Sequence, residues 1–395
     1  MKRWTGLSAA LLILAPVVVL STAPIVRTDE TDDYLMYAGT YTGGASKGIY
    51  AFRFQPLTGR VVSLGLAAET ASPSFLAVHP DRKTLYAVNE APVSDGGNGS
   101  ISAFALDAKT GRLTFLNKVF SGGRDPCHLT IDQYGRWLLV ANYSSGSVSV
   151  FPIKNDGRLG AASAFVQHSG SGKDPRRQEG PHAHSVNLSP DGRFLLVSDL
   201  GLDKILIYRF DSVKGSLAAN NPPFVRLSAG SGPRHISFHP NGRFVYQINE
   251  LNSTLTAFAY DADGGDLREI ESISTLPQGF SEDSTAAEVA VHPDGTFVYG
   301  SNRGHDSIAV FAVRGDKCIL EPVEYVSTRG KTPRQFAIDP TGNYLFAANQ
   351  NSGEIVVFHI DRTTGKLTAT DIVLKVPSPV CVAFVPLCER FEIRN

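Results

Sequence analysis

Short runs of β-branched and aromatic residues alternate with turn-forming clusters along almost the whole chain. His235-Ile236-Ser237-Phe238 leads into His239-Pro240-Asn241-Gly242, and Phe244-Val245-Tyr246-Gln247-Ile248 follows. Pro presets the first turn angle and Gly accepts positive φ, so two strands joined by a tight hairpin are predicted. The turn recurs as His79-Pro80-Asp81, Ser189-Pro190-Asp191-Gly192, His292-Pro293-Asp294-Gly295 and Asp339-Pro340-Thr341-Gly342, with Asp132-Gln133-Tyr134-Gly135 as a degenerate copy. The proline position therefore falls at 80, 133, 190, 240, 293 and 340.

A third run follows each hairpin, as in Ser147-Val148-Ser149-Val150-Phe151, Ser307-Ile308-Ala309-Val310-Phe311 and Glu354-Ile355-Val356-Val357-Phe358. A second turn comes next, such as Thr110-Gly111-Arg112-Leu113, Asp156-Gly157-Arg158-Leu159 or Thr364-Gly365-Lys366-Leu367, and then a more polar fourth run. Four antiparallel strands in a repeat of roughly 50 residues are the pattern of a propeller blade. Six blades are complete. Tyr34 to Gly39 behaves as a second strand without a first, and Val380-Cys381-Val382-Ala383-Phe384 as a first strand without a blade. Joining them leaves no open edge. The fold expected is an all-β, seven-bladed β-propeller over residues 34–388, its ring closed by the C-terminal strand completing the N-terminal blade, with a tail at 389–395.

The first residues read differently. Lys2 and Arg3 precede an apolar run from Leu7 to Leu20, and Ser21-Thr22-Ala23 supplies small residues for cleavage. The run is shorter than the roughly 20 residues of a spanning helix. Residues 1–23 are therefore expected to be a signal peptide and 24–33 a linker, which leaves an exported protein, periplasmic or extracellular, without a stable membrane span. A net charge of -1 gives no basic footprint for nucleic acid. Cys127, Cys318, Cys381 and Cys388 do not have metal-site spacing, and four cysteines allow three pairings.

The blade pattern also locates a candidate site. First strands line the channel and second strands run antiparallel beside them, so the start of one and the end of the other share a face. The starts are Ser74-Phe75, Cys127-His128, His184-Ser185, Arg234-His235, Ala287-Glu288, Arg334-Gln335 and Val380-Cys381; the ends are Tyr41, Glu90, Tyr143, Leu200, Glu250, Arg303 and Gln350. The Asn or Asp before most of these ends (Asn89, Asn142, Asp199, Asn249, Asn302, Asn349) reads as a structural turn residue. The neighbouring positions vary between blades and collect arginines, histidines and glutamates, as a concave site for an anionic ligand requires. A polar loop precedes Arg177-Gln178-Glu179-Gly180-Pro181-His182-Ala183-His184. His182 and His184, at alternating positions of a strand, are expected to point the same way. They lack a third metal ligand at regular spacing, so neither a metal nor a cofactor is expected.

Those residues carry a resemblance. Arg177 to Ser185, Gly232-Pro233-Arg234-His235, Asn249-Glu250, Ser301-Asn302-Arg303-Gly304-His305-Asp306-Ser307 and Thr332-Pro333-Arg334 resemble the lactonase family of seven-bladed propellers, over about residues 34–386. That family includes one bacterial type of 6-phosphogluconolactonase and the fungal enzyme that lactonises 3-carboxymuconate. The muconate type uses a His, two Arg and a Glu, roles that the resemblance places on His184 (or His182), Arg234, Arg303 and Glu250. Arg177, His128, His235, Glu288, Arg334 and Gln335 are the expected substrate-binding residues. The export signal departs from the cytosolic setting of the phosphogluconolactonases and admits an unphosphorylated substrate.

A histidine base can activate water, an arginine can meet the oxyanion, and further arginines can hold a phosphate or carboxylate. No serine sits in a Gly-x-Ser-x-Gly elbow. The expected function is hydrolysis of a sugar-type lactone by a monomer that takes a lactone or an anionic sugar acid. A lactonising cyclo-isomerase and a non-enzymatic binding propeller are the alternatives.

Overall fold

The computed structural model describes residues 33–90 and 99–387, together with residue 1. The expected signal peptide, the linker before Asp33, Cys388 and the tail lie outside the described residues.

Seven four-stranded antiparallel sheets form the ring. Blade 1 uses both ends of the chain, with Pro379–Pro386 innermost, then Tyr34–Thr40, Gly48–Gln55 and Arg60–Glu69. Leu35 pairs with Val385 and Gly39 with Cys381, which is the expected closure. Blades 2 to 7 follow in chain order. Their innermost strands are Leu76–Val78, Pro126–Ile131, Ala183–Leu188, Pro233–Phe238, Thr285–Val291 and Pro333–Ile338.

Each hydrophobic cluster lies between two neighbouring sheets. Tyr246, Ile248 and Leu255 of blade 5 pack on Val298, Ala309 and Phe311 of blade 6, and Phe346 and Val357 of blade 7 pack on Tyr34, Phe54 and Val382 of blade 1. At about 1.5–3 kcal/mol for each large apolar side chain buried, the closing strand is needed on both of its faces.

The turn histidines are staples between blades. His79, His239 and His292 use Nε2 to reach the carbonyls of Gly135, Gly295 and Gly342, at 2.8, 3.0 and 2.8 Å. The repeated asparagines hold the chain where it passes between blades: Asn89 donates to Ala71 O at 2.7 Å and Asn302 to Thr275 O at 2.7 Å. They are structural, as expected, but Asn89 and Asn302 bond backbone 18 and 27 residues earlier and not within a local turn. Cys127, Cys318 and Cys381 are buried free thiols. Among the described residues no helix is long and apolar enough to cross a membrane.

A β-bulge near the start of the inner strands shapes the site. Register shifts occur around Cys127, His184, Arg234 and Arg334, and blade 6 has a wider one between Ala286 and Val289. A bulge re-aims its extra residue. Here the extra residues are a thiol, an imidazole and two guanidiniums.

Candidate active site

A pocket of about 290 Å³ opens at the channel mouth, lined by Glu90, Cys127, Tyr143, Arg177, His184, Glu250, Thr285, Arg303 and Arg334. Its centre is the Glu250 carboxylate, just past the second strand of blade 5. Arg177 Nη2 donates to Oε1 at 2.6 Å, while Arg303 Nη2 and Arg234 Nε reach Oε2 at 2.9 and 3.1 Å. Burial works against the charge on Glu250, but Arg303, Arg234 and Arg177 outweigh it and hold the carboxyl well below the usual carboxylate range. A carboxylate held ionised in this way is an anchor for the arginines and not a proton donor.

The three arginines differ in access. Arg234 is buried behind the pocket wall, with Nη1 on Ala287 O at 2.7 Å and on His235 Nε2 at 3.3 Å. Burial, Arg303 and Arg334 push its pKa down to about 10, so it stays a cation at neutral pH. Arg303 faces the pocket and donates Nη2 to Ala286 O at 3.2 Å; its buried Nε has no partner among the described residues. Arg177 reaches in from the loop before blade 4 and also donates to the Tyr143 hydroxyl, at 3.3 Å.

Arg334 enters from the other side. Its guanidinium lies 5.3 Å from the Tyr41 ring centroid and 4.0 Å from Glu90 Oε1, while the Tyr41 hydroxyl donates to Glu90 Oε2 at 2.8 Å. Four guanidiniums thus surround two carboxylates, and the mouth is net cationic.

His184 lines this pocket. Its ring is edge-on to those of Tyr143 and His235, with centroids at 5.4 and 5.1 Å. Burial first, then Arg234, His235 and Arg334, keep its pKa well below the ordinary value, so the imidazole is neutral and can accept a proton. His182 is placed otherwise. It precedes the strand and does not line the pocket; its ring stacks on Tyr143 at 4.6 Å, and its nitrogens face Tyr143 O at 3.2 Å and Glu179 Oε1 at 3.4 Å. The expected same-side alternation of the two histidines fails because the bulge at His184 interrupts it.

His128 and His235 lie one residue past the bulge residues and Glu288 within the wider bulge of blade 6; all three are inside the channel and outside the pocket lining. His128 packs on Phe75 and His235, with centroids at 4.2 and 5.1 Å, and its Nδ1 accepts from Val186 N at 3.3 Å. His235 accepts from Arg234 through Nε2, so Nδ1 carries its proton to Glu288 Oε1 at 3.0 Å. Burial raises Glu288 to about 7 and holds His235 well below its ordinary value, so this contact is not a standing ion pair. Gln335 accepts from Val382 N at 2.9 Å, which fixes the closing strand. Direct substrate contact by these four residues is not what their geometry favours.

Tyr143, Glu90 and Tyr41 were present in the aligned strand ends without being singled out as site residues. Thr285 gave no such signal, because the wide bulge in blade 6 shifts the strand start away from Ala287. Among the described residues no cluster of His, Cys, Asp or Glu is arranged to hold a metal.

A closed ring of seven blades is the architecture of the propeller lactonases. The family defined as lactonase, 7-bladed β-propeller, matches residues 35–384, and the chain belongs to it. A 6-phosphogluconolactonase of Bacillus subtilis (strain 168) is 38% identical over 89% of this chain and 98% of its own length. A 6-phosphogluconolactonase of Formosa agariphila is 35% identical over 84% and 94%. The solved structure of the periplasmic gluconolactonase of Pseudomonas aeruginosa superposes with a TM-score of 0.85 at 36% identity, covering 90% of this chain and all of that one.

Proposed function

We propose that this chain hydrolyses a sugar lactone at the channel mouth. The observation that carries the reading is that a neutral His184 and three arginines, 177, 303 and 334, line one pocket around the ionised Glu250. In this reading His184 takes a proton from water as the water oxygen adds to the ring carbonyl. The carbonyl electron pair moves onto oxygen, where the guanidinium of Arg303, which lines the pocket, meets it. Collapse breaks the bond between the acyl carbon and the ring oxygen. The leaving alkoxide regains the proton from the imidazolium, and an open-chain hydroxy acid results.

Arg334 is the guanidinium with no carboxylate closer than 4.0 Å and is assigned to the substrate's anionic or hydroxyl-rich end. Arg234 acts from behind the wall by holding Glu250. The 6-phosphogluconolactonase relatives favour a phosphorylated lactone. The periplasmic relative and the apolar N-terminal run favour an unphosphorylated one in an exported protein, with residues 1–23 removed. Acid release from 6-phosphogluconolactone and glucono-1,5-lactone by the purified protein, measured against the spontaneous rates, separates the two. N-terminal sequencing of protein from the cell envelope is expected to begin near Pro24; intact Met1 on cytosolic protein would favour the phosphorylated substrate.

A further inference from the structure

The segment Arg177 to His184 supplies a guanidinium and an imidazole to the pocket, but Gln178 between them reaches neither. It is fully buried within a loop whose neighbours Arg176 and Glu179 are exposed. All the bonding capacity of its amide group faces partners. Nε2 donates to Leu200 O at 2.8 Å and Asp203 Oδ1 at 2.7 Å; Oε1 accepts from Lys173 N at 2.9 Å and Asp174 N at 3.0 Å. Its main chain is tied as well, its N–H to Asp174 O at 2.7 Å and its carbonyl to Gly172 N at 2.9 Å. A surface loop does not need a saturated, buried amide merely to connect two strands.

Asp203 extends the network. It is buried and left-handed (φ 52°), at the end of the short helix Leu200–Leu202. Oδ1 also accepts from Gly232 N at 2.8 Å and Oδ2 from Gly230 N at 2.7 Å. Gly232 in turn accepts from Glu250 N at 2.7 Å through its carbonyl, two residues before Arg234. One carboxylate therefore joins the loop that carries Arg177 to the segment that leads into Arg234 and seats Glu250.

We propose that Gln178 and Asp203 are positioning residues: a clamp that holds Arg177 over the pocket and so sets the affinity for substrate. Neither touches the pocket; both act through Arg177, the most exposed of the arginines on Glu250, with 39% of its side chain open. The inference rests on the lactonase reading only for its kinetic test. Gln178→Glu removes both N–H donors and sets a second carboxylate against Asp203. KM is expected to rise about tenfold with kcat within about threefold, as for loss of uniform binding. Arg177→Met is expected to raise KM similarly, and the double variant no further, because the first change acts through the second.

Limited trypsin digestion supplies a readout that needs no substrate. Q178E is expected to be cut faster after Lys173 and Arg176 while the ring keeps its melting temperature. If Q178E does not fold, Gln178→Ala, which removes the amide without adding a charge, takes its place in both assays, with the same outcomes expected. The clamp is overturned if the KM effects of Gln178 and Arg177 multiply, if kcat falls instead of KM rising, or if cleavage of the loop is unchanged. Unchanged loop cleavage sinks the clamp even if lactone hydrolysis is confirmed. Faster cleavage in a protein that hydrolyses no lactone supports the loop clamp and sinks the lactonase reading instead.

Discussion

Glu250 and Glu288 sit in adjacent blades, both buried at the channel, and behave in opposite ways. Burial pushes both carboxyls toward the protonated form. At the mouth, three guanidiniums within 3.1 Å reverse that push, and Glu250 stays a carboxylate. Deeper in, Glu288 faces His235 and the backbone N–H of Val289, each at 3.0 Å, with Arg234 beyond the imidazole; burial prevails and its pKa rises to about 7. The same residue type is an anion anchor in one place and a proton holder in the other. The number of cations in direct contact decides which. The mouth is thereby built for charge and the interior for near-neutral packing of Phe75, His128 and His235.

Glu250→Gln tests the comparison most severely. It leaves Arg177, Arg234 and Arg303 crowded without their counter-ion. Breaking a buried pair of this kind costs about 3–5 kcal/mol. Lactone hydrolysis is expected to fall by on the order of 10²-fold or more, since the arginines lose their shared position. Thermal unfolding and initial rates check both.

Glu288→Gln is expected to act in the opposite sense on stability. The folded pKa of Glu288 lies above its unfolded value, so the folded state binds the proton more tightly. Its contribution is fully present below pH ~4.5 and is lost as pH rises to about 7. The amide removes that slope, so the variant gains on the wild type between these pH values by at most about 3 kcal/mol, and activity changes little. Glu250 has a depressed pKa, so its contribution is present above the unfolded value and lost as the solution becomes more acidic. E250Q therefore flattens the acid limb of the stability curve and E288Q the limb approaching neutrality. Melting temperatures across pH 3–8 separate them, and matching curves would sink the contrast.

The smallest effect is expected at His182. Its ring nitrogens already face Tyr143 O and Glu179, so His182→Gln is expected to cost less than about tenfold in kcat. A loss equal to that of the His184 variant would move the base to the wrong side of the bulge.

The ring was legible because its turns repeat chemistry as well as spacing: the histidines of the Pro-Gly turns staple successive blades. The closure was legible because one end lacked a strand and the other had one to spare. The site was partly legible. Glu250, Arg303, Arg234 and His184 came from aligning strand ends, and Arg177 from its loop. Bulges were invisible, since a repeat read from its turns carries no record of an extra residue at the far end of a strand. That is why Thr285 carried no signal, why His182 and His184 read as equivalent, and why the brace from Gln335 to the closing strand could not be read from its strand-start position. Arg234 was found but not its depth, because a strand-start position does not tell which arginine faces the opening.

The most direct test of the account is acid release from a sugar lactone at pH 7 by the wild type and by His184→Ala, each above the spontaneous rate. The wild type is expected to hydrolyse a phosphorylated or unphosphorylated gluconolactone, and the variant to turn over more slowly by on the order of 10²–10⁴-fold with little change in melting temperature. A wild type that releases no acid above background from either lactone, or a variant that keeps the full rate, would contradict it.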